Sequence, residues 1–157
     1  MKLNKTQTKQ IAVQGFRDKI TSLENKLLAQ QNPNIVKGNS DSFPLTHSFS
    51  DGVYIREMSM LKDGIVIGKI HNKSQTWFLM KGKIKVATEN GTVVYTAPTY
   101  VNAPAGAKRV VQALEDSVFV NVYPNPDNTI NIKTLEERLT CATYEAFEKQ
   151  TLKTRII

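Results

Sequence analysis

From Pro44 to Pro124 the chain is a succession of short apolar or alternating segments separated by turn residues, with no helical periodicity between them. Val53–Met60 is rich in β-branched and long apolar side chains, and Gly64–His71 (GIVIGKIH) is a second such run. Thr76–Met80 (TWFLM) is apolar on both faces, too much so for a lone edge strand. Lys83–Val86 alternates polar and apolar with period two, and Asn90-Gly91 is expected to close a tight hairpin into Thr92–Thr96. Tyr100–Asn102, Arg109–Leu114 and Ser117–Tyr123 complete the series, set apart by Pro104-Ala105-Gly106 and Glu115-Asp116. A run of about seven or eight short strands without intervening helices predicts a sandwich or barrel.

Two flanking parts differ in pattern. In residues 1–31, Val13, Phe16, Ile20, Leu23 and Leu27 are spaced 3, 4, 3, 4, the rhythm of a helical seam. An isolated helix of this length is marginal in water, and Gly15 costs it about 1 kcal/mol against alanine. The stripe therefore needs a surface: its own body, copies of itself, or another protein. Residues 32–43, within QNPNIVKGNSDSF, read as a tether long enough for the arm to reach away, so a partner-docking helix face is expected. Residues 44–130 form the β body. Residues 131–157 form a short helical tail, with Thr134 and Glu137 as an expected capping box and Thr143 as the cap of a second helix from Tyr144. Cys141, between the two helices, reads as a buried structural thiol.

Charge is uneven. Of the net +7, residues 1–40 hold seven basic groups against Asp18 and Glu24, while residues 41–130 hold nine against eight and residues 131–157 five against four. A nucleic-acid-binding fold normally carries its basic stripe on the folded body, so such contact is not expected of the barrel and is open only for the basic arm. No run approaches the roughly 18 apolar residues of a membrane span, and Met1–Lys5 lacks a signal peptide's apolar segment. One cysteine forms no internal disulfide, and two histidines cannot make a three-histidine metal centre. Synthesis in a reducing cytoplasm is the expected location. Lys81, Lys83 and Lys85 read as alternating along one strand, where they would protect an outer face from aggregation.

The β body resembles the cupin superfamily, a small jelly roll. That family's first motif, Gly-x5-His-x-His-x3/4-Glu-x6-Gly, aligns on Gly82 through the run Lys69 to Gly82, with His71 at the second histidine, Lys69 at the first and Gln75 at the glutamate. Its second motif, Gly-x5-Pro-x-Gly-x2-His, aligns on Pro98, Pro104, Gly106 and Arg109, with arginine at the last histidine. The segments VYIRE, GKIH, PAGAKRV and ALEDSVFVNVYP, with the tail LTCATYEAF, look like cupin-like proteins of bacteriophage genomes. The resemblance implies a single cupin-like jelly-roll barrel, mostly β, with the amphipathic helix before it and short helices after it. It also implies a homo-oligomer.

Cupin metals are held by imidazoles and a carboxylate, whereas Lys69 and Arg109 would place two positive charges beside the ion and Gln75 offers only a carbonyl. No metal and no cofactor are expected, and enzymatic activity is not favoured. The reading is of a structural or assembly protein, a phage virion component docked through Val13, Phe16, Ile20, Leu23 and Leu27 to its own copies or to other structural proteins. Its alternative is a cupin that binds a small anion or a sugar, epimerase-like in the extreme, through a pocket of Lys69, His71, Gln75, Trp77 and Arg109. In that extreme, His71, Tyr95 and Asp116 would share acid–base work. The opposing, inert arrangement has Lys69 and Arg109 pointing outward or paired with Glu57 or Glu115.

Overall fold

The computed structural model describes residues 4–37, 43–88 and 90–155. A 24-residue helix, α1 (Lys5–Leu28), opens the chain, capped by Asn4 and Gln7, whose side chains each bond the other's backbone N–H. Two β-sheets of five strands follow. The first contains β1 (Ile35–Lys37), β4 (Ile65–Ile67), β10 (Val110–Ala113), β7 (Lys83–Thr88) and β8 (Gly91–Thr96), in that spatial order. The second contains β2 (Leu45–Ser50), β3 (Gly52–Met60), β11 (Ser117–Asn125), β6 (Gln75–Lys81) and β9 (Thr99–Ala103). The hydrogen-bonded strands thus make two facing sheets of a cupin-like jelly roll rather than one continuous closed barrel. A two-stranded ribbon joins β5 (Ile70–His71) to β12 (Thr140–Cys141), and α2 (Ile132–Leu139) and α3 (Tyr144–Arg155) complete the tail.

Alternation decides which side chains meet. Val66, Val111 and Val86 form one cross-strand row on the inner face of the first sheet. They meet Trp77, Leu79 and Phe119 of the second in the main core. Tyr54 and Tyr123 pair further along the second sheet and are closed off at that end by Leu135 and Leu139 of α2.

The outer face of the first sheet is apolar too, because Ile67, Val110 and Ala87 also fall in one row. This is what α1 covers: Ile20 is buried on Ile67 and Val110, with Leu23 and Leu27 packed alongside Ile35 and Ile65. The expected partner-docking face is thereby corrected for its C-terminal half, which lies on the chain's own body. Phe16 is half-buried and Val13 exposed. The tether is shorter than its composition implies, since Ile35–Lys37 adds to the sheet parallel to Ile65–Ile67. Residues 38–42 lie outside the described residues.

Several local expectations shift. Gly64–His71 is two strands, because the Gly68 N–H bonds the Arg109 carbonyl at 2.9 Å and the chain turns there toward β12. Thr88 pairs with Gly91, so Gly91 belongs to the strand and the hairpin turn sits one residue earlier. Lys81 ends β6 in the second sheet, and Gly82, at φ +84°, carries the chain to Lys83 and Lys85 in the first, so the three lysines do not share a strand. Asn131, not Thr134, caps α2, its Oδ1 accepting from the Thr134 N–H at 3.1 Å. Thr143 caps α3, its Oγ1 accepting from the Ala146 N–H at 3.2 Å. Cys141 is buried, and burial pushes its thiol pKa up.

Candidate functional site

Between the sheets, next to the aromatic layer, the core turns polar. On β3 and β11 the inward parity that places Tyr54, Tyr123 and Phe119 also places Arg56 and Asn121, which stand opposite each other in register. Asn121 pairs in turn with Trp77. The ribbon strand β5 presents His71 to the same region, its carbonyl accepting from the Gly106 N–H at 2.7 Å and its N–H donating to the Ala107 carbonyl at 3.1 Å. Arg109 follows that loop directly and is buried.

Arg109 and His71 define the centre. The Arg109 Nη2 lies 3.1 Å from His71 Nε2 and 3.4 Å from Asn121 Oδ1. A guanidinium can only donate, so His71 Nε2 must accept and the ring proton resides on Nδ1. With the Gln75 amide assigned to satisfy its surroundings, Oε1 accepts from Arg109 Nη2 at 2.6 Å and from His71 Nδ1 at 3.0 Å. The Gln75 Nε2 then donates to Asn121 Oδ1 at 3.1 Å and to the Tyr123 hydroxyl at 3.2 Å. The guanidinium also sits 5.9 Å from the ring centres of Trp77 and Phe119, whose π faces favour a cation. Burial, reinforced by Arg109 and Arg56, holds His71 well below the usual histidine range, so the imidazole is neutral.

Aromatic and charged groups extend outward from this centre. His71, Tyr123, Tyr54 and His47 stack in sequence at centroid spacings of 5.9, 5.6 and 5.9 Å. Arg56 donates to the Tyr123 hydroxyl at 2.8 Å, and His47 Nδ1 lies 2.8 Å from the Tyr54 hydroxyl. Burial pushes the Tyr54 hydroxyl up to about 12, so it stays protonated. Glu136 of α2 lies 3.7 Å from Lys69 Nζ and 4.0 Å from Arg56 Nη1.

These groups border a cavity of about 60 Å³. Its polar lining is Arg56, Lys69, His71, Arg109, Asn121 and Thr140, and its apolar lining includes Leu45, Met58, Val66 and Phe119. By the measure in which one water needs about 10–15 Å³, it holds a few waters or one small anion. Of the five expected pocket residues, Lys69, His71 and Arg109 line it. Gln75 and Trp77 do not: Gln75 bonds His71 and Arg109, and Trp77 meets the site only through the Arg109 guanidinium, 5.9 Å from its ring centre. Lys69 pairs with Glu136, not with Glu57 or Glu115. Arg56, Asn121, Tyr123 and Glu136 were not anticipated; a polar residue at inward parity between Tyr54 and Met58, and another among the β11 valines, was the available signal. Tyr95 packs edge-on against Trp77 and Asp116 accepts from the Lys62 N–H, so neither joins His71 in an acid–base group.

The donor set does not fit a cupin metal. Both His71 nitrogens are engaged, Gln75 already accepts from a guanidinium, and that guanidinium stands where a cation would have to enter. Among the described residues no three or more His, Cys, Asp or Glu side chains converge.

No protein-family model matches the sequence, and a search of curated proteins finds no match. Solved structures do match in fold. The plu4264 protein from Photorhabdus luminescens superposes with a TM-score of 0.50 and 12% identity, over 62% of this chain and 88% of that one. KdgF from Halomonas sp. gives 0.49 and 14%, over 56% and 85%. A cupin superfamily protein from Desulfitobacterium hafniense gives 0.48 and 10%, over 57% and 83%. The fold neighbours are cupin superfamily proteins. At such identities the likeness is one of fold, and the narrower resemblance to phage proteins gains no support from these neighbours. No helix among the described residues is long and apolar enough to cross a membrane.

Proposed function

We propose that the chain is a binding protein of cupin fold that takes a small anion, such as a carboxylate or phosphate, between Arg56, Lys69 and Arg109. One observation carries this reading. The cavity lining holds those three cationic side chains and no carboxylate, although Glu136 of α2, outside the lining, lies 3.7 Å from Lys69 and 4.0 Å from Arg56. Inside a partly desolvated site, charge-assisted hydrogen bonds from arginine are the natural complement of an oxyanion. The apolar half of the lining suits a ligand with a short hydrocarbon portion. The epimerase-like extreme is disfavoured by size, since a nucleotide sugar exceeds the cavity, and by His71, whose proton-accepting nitrogen is occupied by Arg109.

The test is thermal stabilisation and calorimetry with acetate, 2-oxo acids and inorganic phosphate against matched chloride. A ligand at a hundred times its Kd should raise stability by about 2.7 kcal/mol. Arg56→Gln should abolish the effect. If no anion stabilises the protein beyond the ionic-strength control, the reading fails.

Assembly through α1, the virion-component reading, retains one supporting observation: Ile11 is 58% exposed and Val13 is exposed as well. Because Ile20, Leu23 and Leu27 cover the first sheet and Ile35–Lys37 is one of its strands, removing residues 1–40 would damage the body itself. A cut ahead of Gly15 is the appropriate probe. Loss of a defined assembly on that cut, with melting unchanged, is the result this second reading requires.

A further inference from the structure

Residues 104–109 join β9 to β10 and are held from two sides. Within β10, Val111 and Ala113 face the core between the sheets, while Val110 faces α1. Alternation carried back from the strand sends Arg109 inward, beside His71 and Asn121, and Lys108 outward, beneath the helix. On the body side, the Gly106 N–H bonds the His71 carbonyl at 2.7 Å and the Gly68 N–H bonds the Arg109 carbonyl at 2.9 Å. Phe147 of α3 lies over Gly106, so close that a Cβ there would stand 2.9 Å from its ring. A further hold is ionic. Glu24 of α1 closes on the Lys108 ammonium, the two side chains being 5% and 6% exposed.

A buried ion pair contributes little net stability, because desolvating two charges offsets most of their attraction. The stripe of Ile20, Leu23 and Leu27 already attaches the helix. What the pair adds is direction. It fixes one point of α1 to one point of the loop, a single residue from a guanidinium that lines the cavity.

We propose that Glu24 is a positioning residue of the anion pocket: through Lys108 it holds the loop that presents Arg109, which makes α1 part of the binding site. The inference rests on the anion-binding reading above and adds its dependence on α1. Linkage makes the coupling reciprocal, so the factor by which the clamp raises anion affinity is also the factor by which a bound anion favours docking of α1. Arg17 reinforces the clamp by tying α1 to Glu148 and to the Tyr144 ring of α3, the helix that covers Gly106.

Charge and position predict opposite signs. Glu24→Gln removes a negative charge near the pocket, so electrostatics alone would tighten anion binding. Loss of position should weaken it, raising the Kd for acetate or inorganic phosphate about tenfold, the effect expected of one charge-assisted hydrogen bond. Calorimetry well below the melting temperature keeps lost stability out of the reading. Glu24→Met with Lys108→Met leaves the net charge unchanged and strands no ion, so it carries the test if Glu24→Gln does not fold. In it, stability should recover while the anion Kd stays raised. Whichever of the two anions binds should slow amide exchange along residues 5–28 in the wild type but not in the double variant.

An unchanged or lower Kd in Glu24→Gln overturns the proposal, as does a double variant whose affinity recovers with its stability. So does helix exchange that responds to the anion equally in both proteins. If the wild type binds neither anion, the anion-binding reading fails alone, and the placement of Arg109 is then read on His71. Moving Arg109 off His71 Nε2 should raise the imidazole titration followed by NMR, with Arg56, the other cation that depresses it, untouched. The lost Glu24 charge by itself would lower that titration. A titration that stays or falls in Glu24→Gln overturns the clamp as well.

Discussion

The contact that fixes α1 to the body offers a sharp test, because it places a buried carboxylate on a helix that otherwise adheres through a modest apolar stripe. Glu24 contacts Lys108 through Oε2 and Lys37, at 2.6 Å, through Oε1. The Glu24 and Lys108 side chains are 5% and 6% exposed, whereas Lys37 is 58% exposed. Burial alone would raise the Glu24 pKa, but the two lysines outweigh it and hold the carboxyl below its ordinary range. Glu24→Gln keeps the shape, removes the charge and leaves the Lys108 ammonium buried without its counter-ion. Breaking one partner of a buried pair costs about 3–5 kcal/mol, a large share of the 5–15 kcal/mol that holds a domain together. For a chain of this size that is a fall in Tm of roughly 6–20 °C. Lys37→Ala, at the exposed end, should cost less than about 1 kcal/mol. Replacing both buried partners, Glu24→Met with Lys108→Met, should recover most of the loss because no charge is then stranded. Urea denaturation reads all four proteins, and amide exchange along residues 5–28 reveals whether α1 detaches before the sheets melt. A Glu24→Gln cost under 1 kcal/mol, or a double variant as unstable as the single, would refute the reasoning.

Three further outcomes follow from the site and the fold. The neutral His71 has a folded pKa below its unfolded value of about 6.5, so its contribution is complete above pH 6.5 and is lost as pH falls through that value toward the folded pKa. Stability should fall on acidification by up to about 1.4 kcal/mol per pH unit for this proton, and His71→Gln should flatten that part of a Tm-against-pH curve. Arg109→Met removes a charge that depresses His71, so the imidazole titration followed by NMR should move upward; no movement would mean that burial and Arg56 set it without Arg109. Gly82→Ala should destabilise by about 1–3 kcal/mol in chemical denaturation, because φ is +84° and a Cβ would overlap the Asp116 carbonyl and Ser117 Oγ.

How far the sequence reveals this molecule depends on whether the relevant physics is local. Period-two alternation and turn residues are local, so the strands from Val53 to Tyr123 could be read with small errors at their ends, except that Gly64–His71 divides at Gly68 into two strands of different sheets. The hairpin slip at Gly91 is of that kind: glycine's freedom marks a tight bend without saying which side of it carries the turn. His71 and Arg109 were legible as neighbours because the resemblance aligns two loops that the fold brings together. Arg56, Asn121 and Tyr123 come from strands whose register is a tertiary fact, yet their inward parity was already written in the alternation with Tyr54 and Phe119. The fate of α1 was the hardest to read. A 3-4 stripe states that a helix needs an apolar surface but not whose. The deciding residues lay elsewhere, in Gly64–Ile67, where Ile65, Val66 and Ile67 are apolar on both faces of a strand. A strand of that kind must be covered twice, once by the opposing sheet and once by something outside, and the nearest unclaimed apolar stripe in the chain is Ile20, Leu23 and Leu27. The same accounting over the second sheet finds Ile55, Phe78 and the β11 valines apolar on its outer face and in none of the apolar clusters of the described residues.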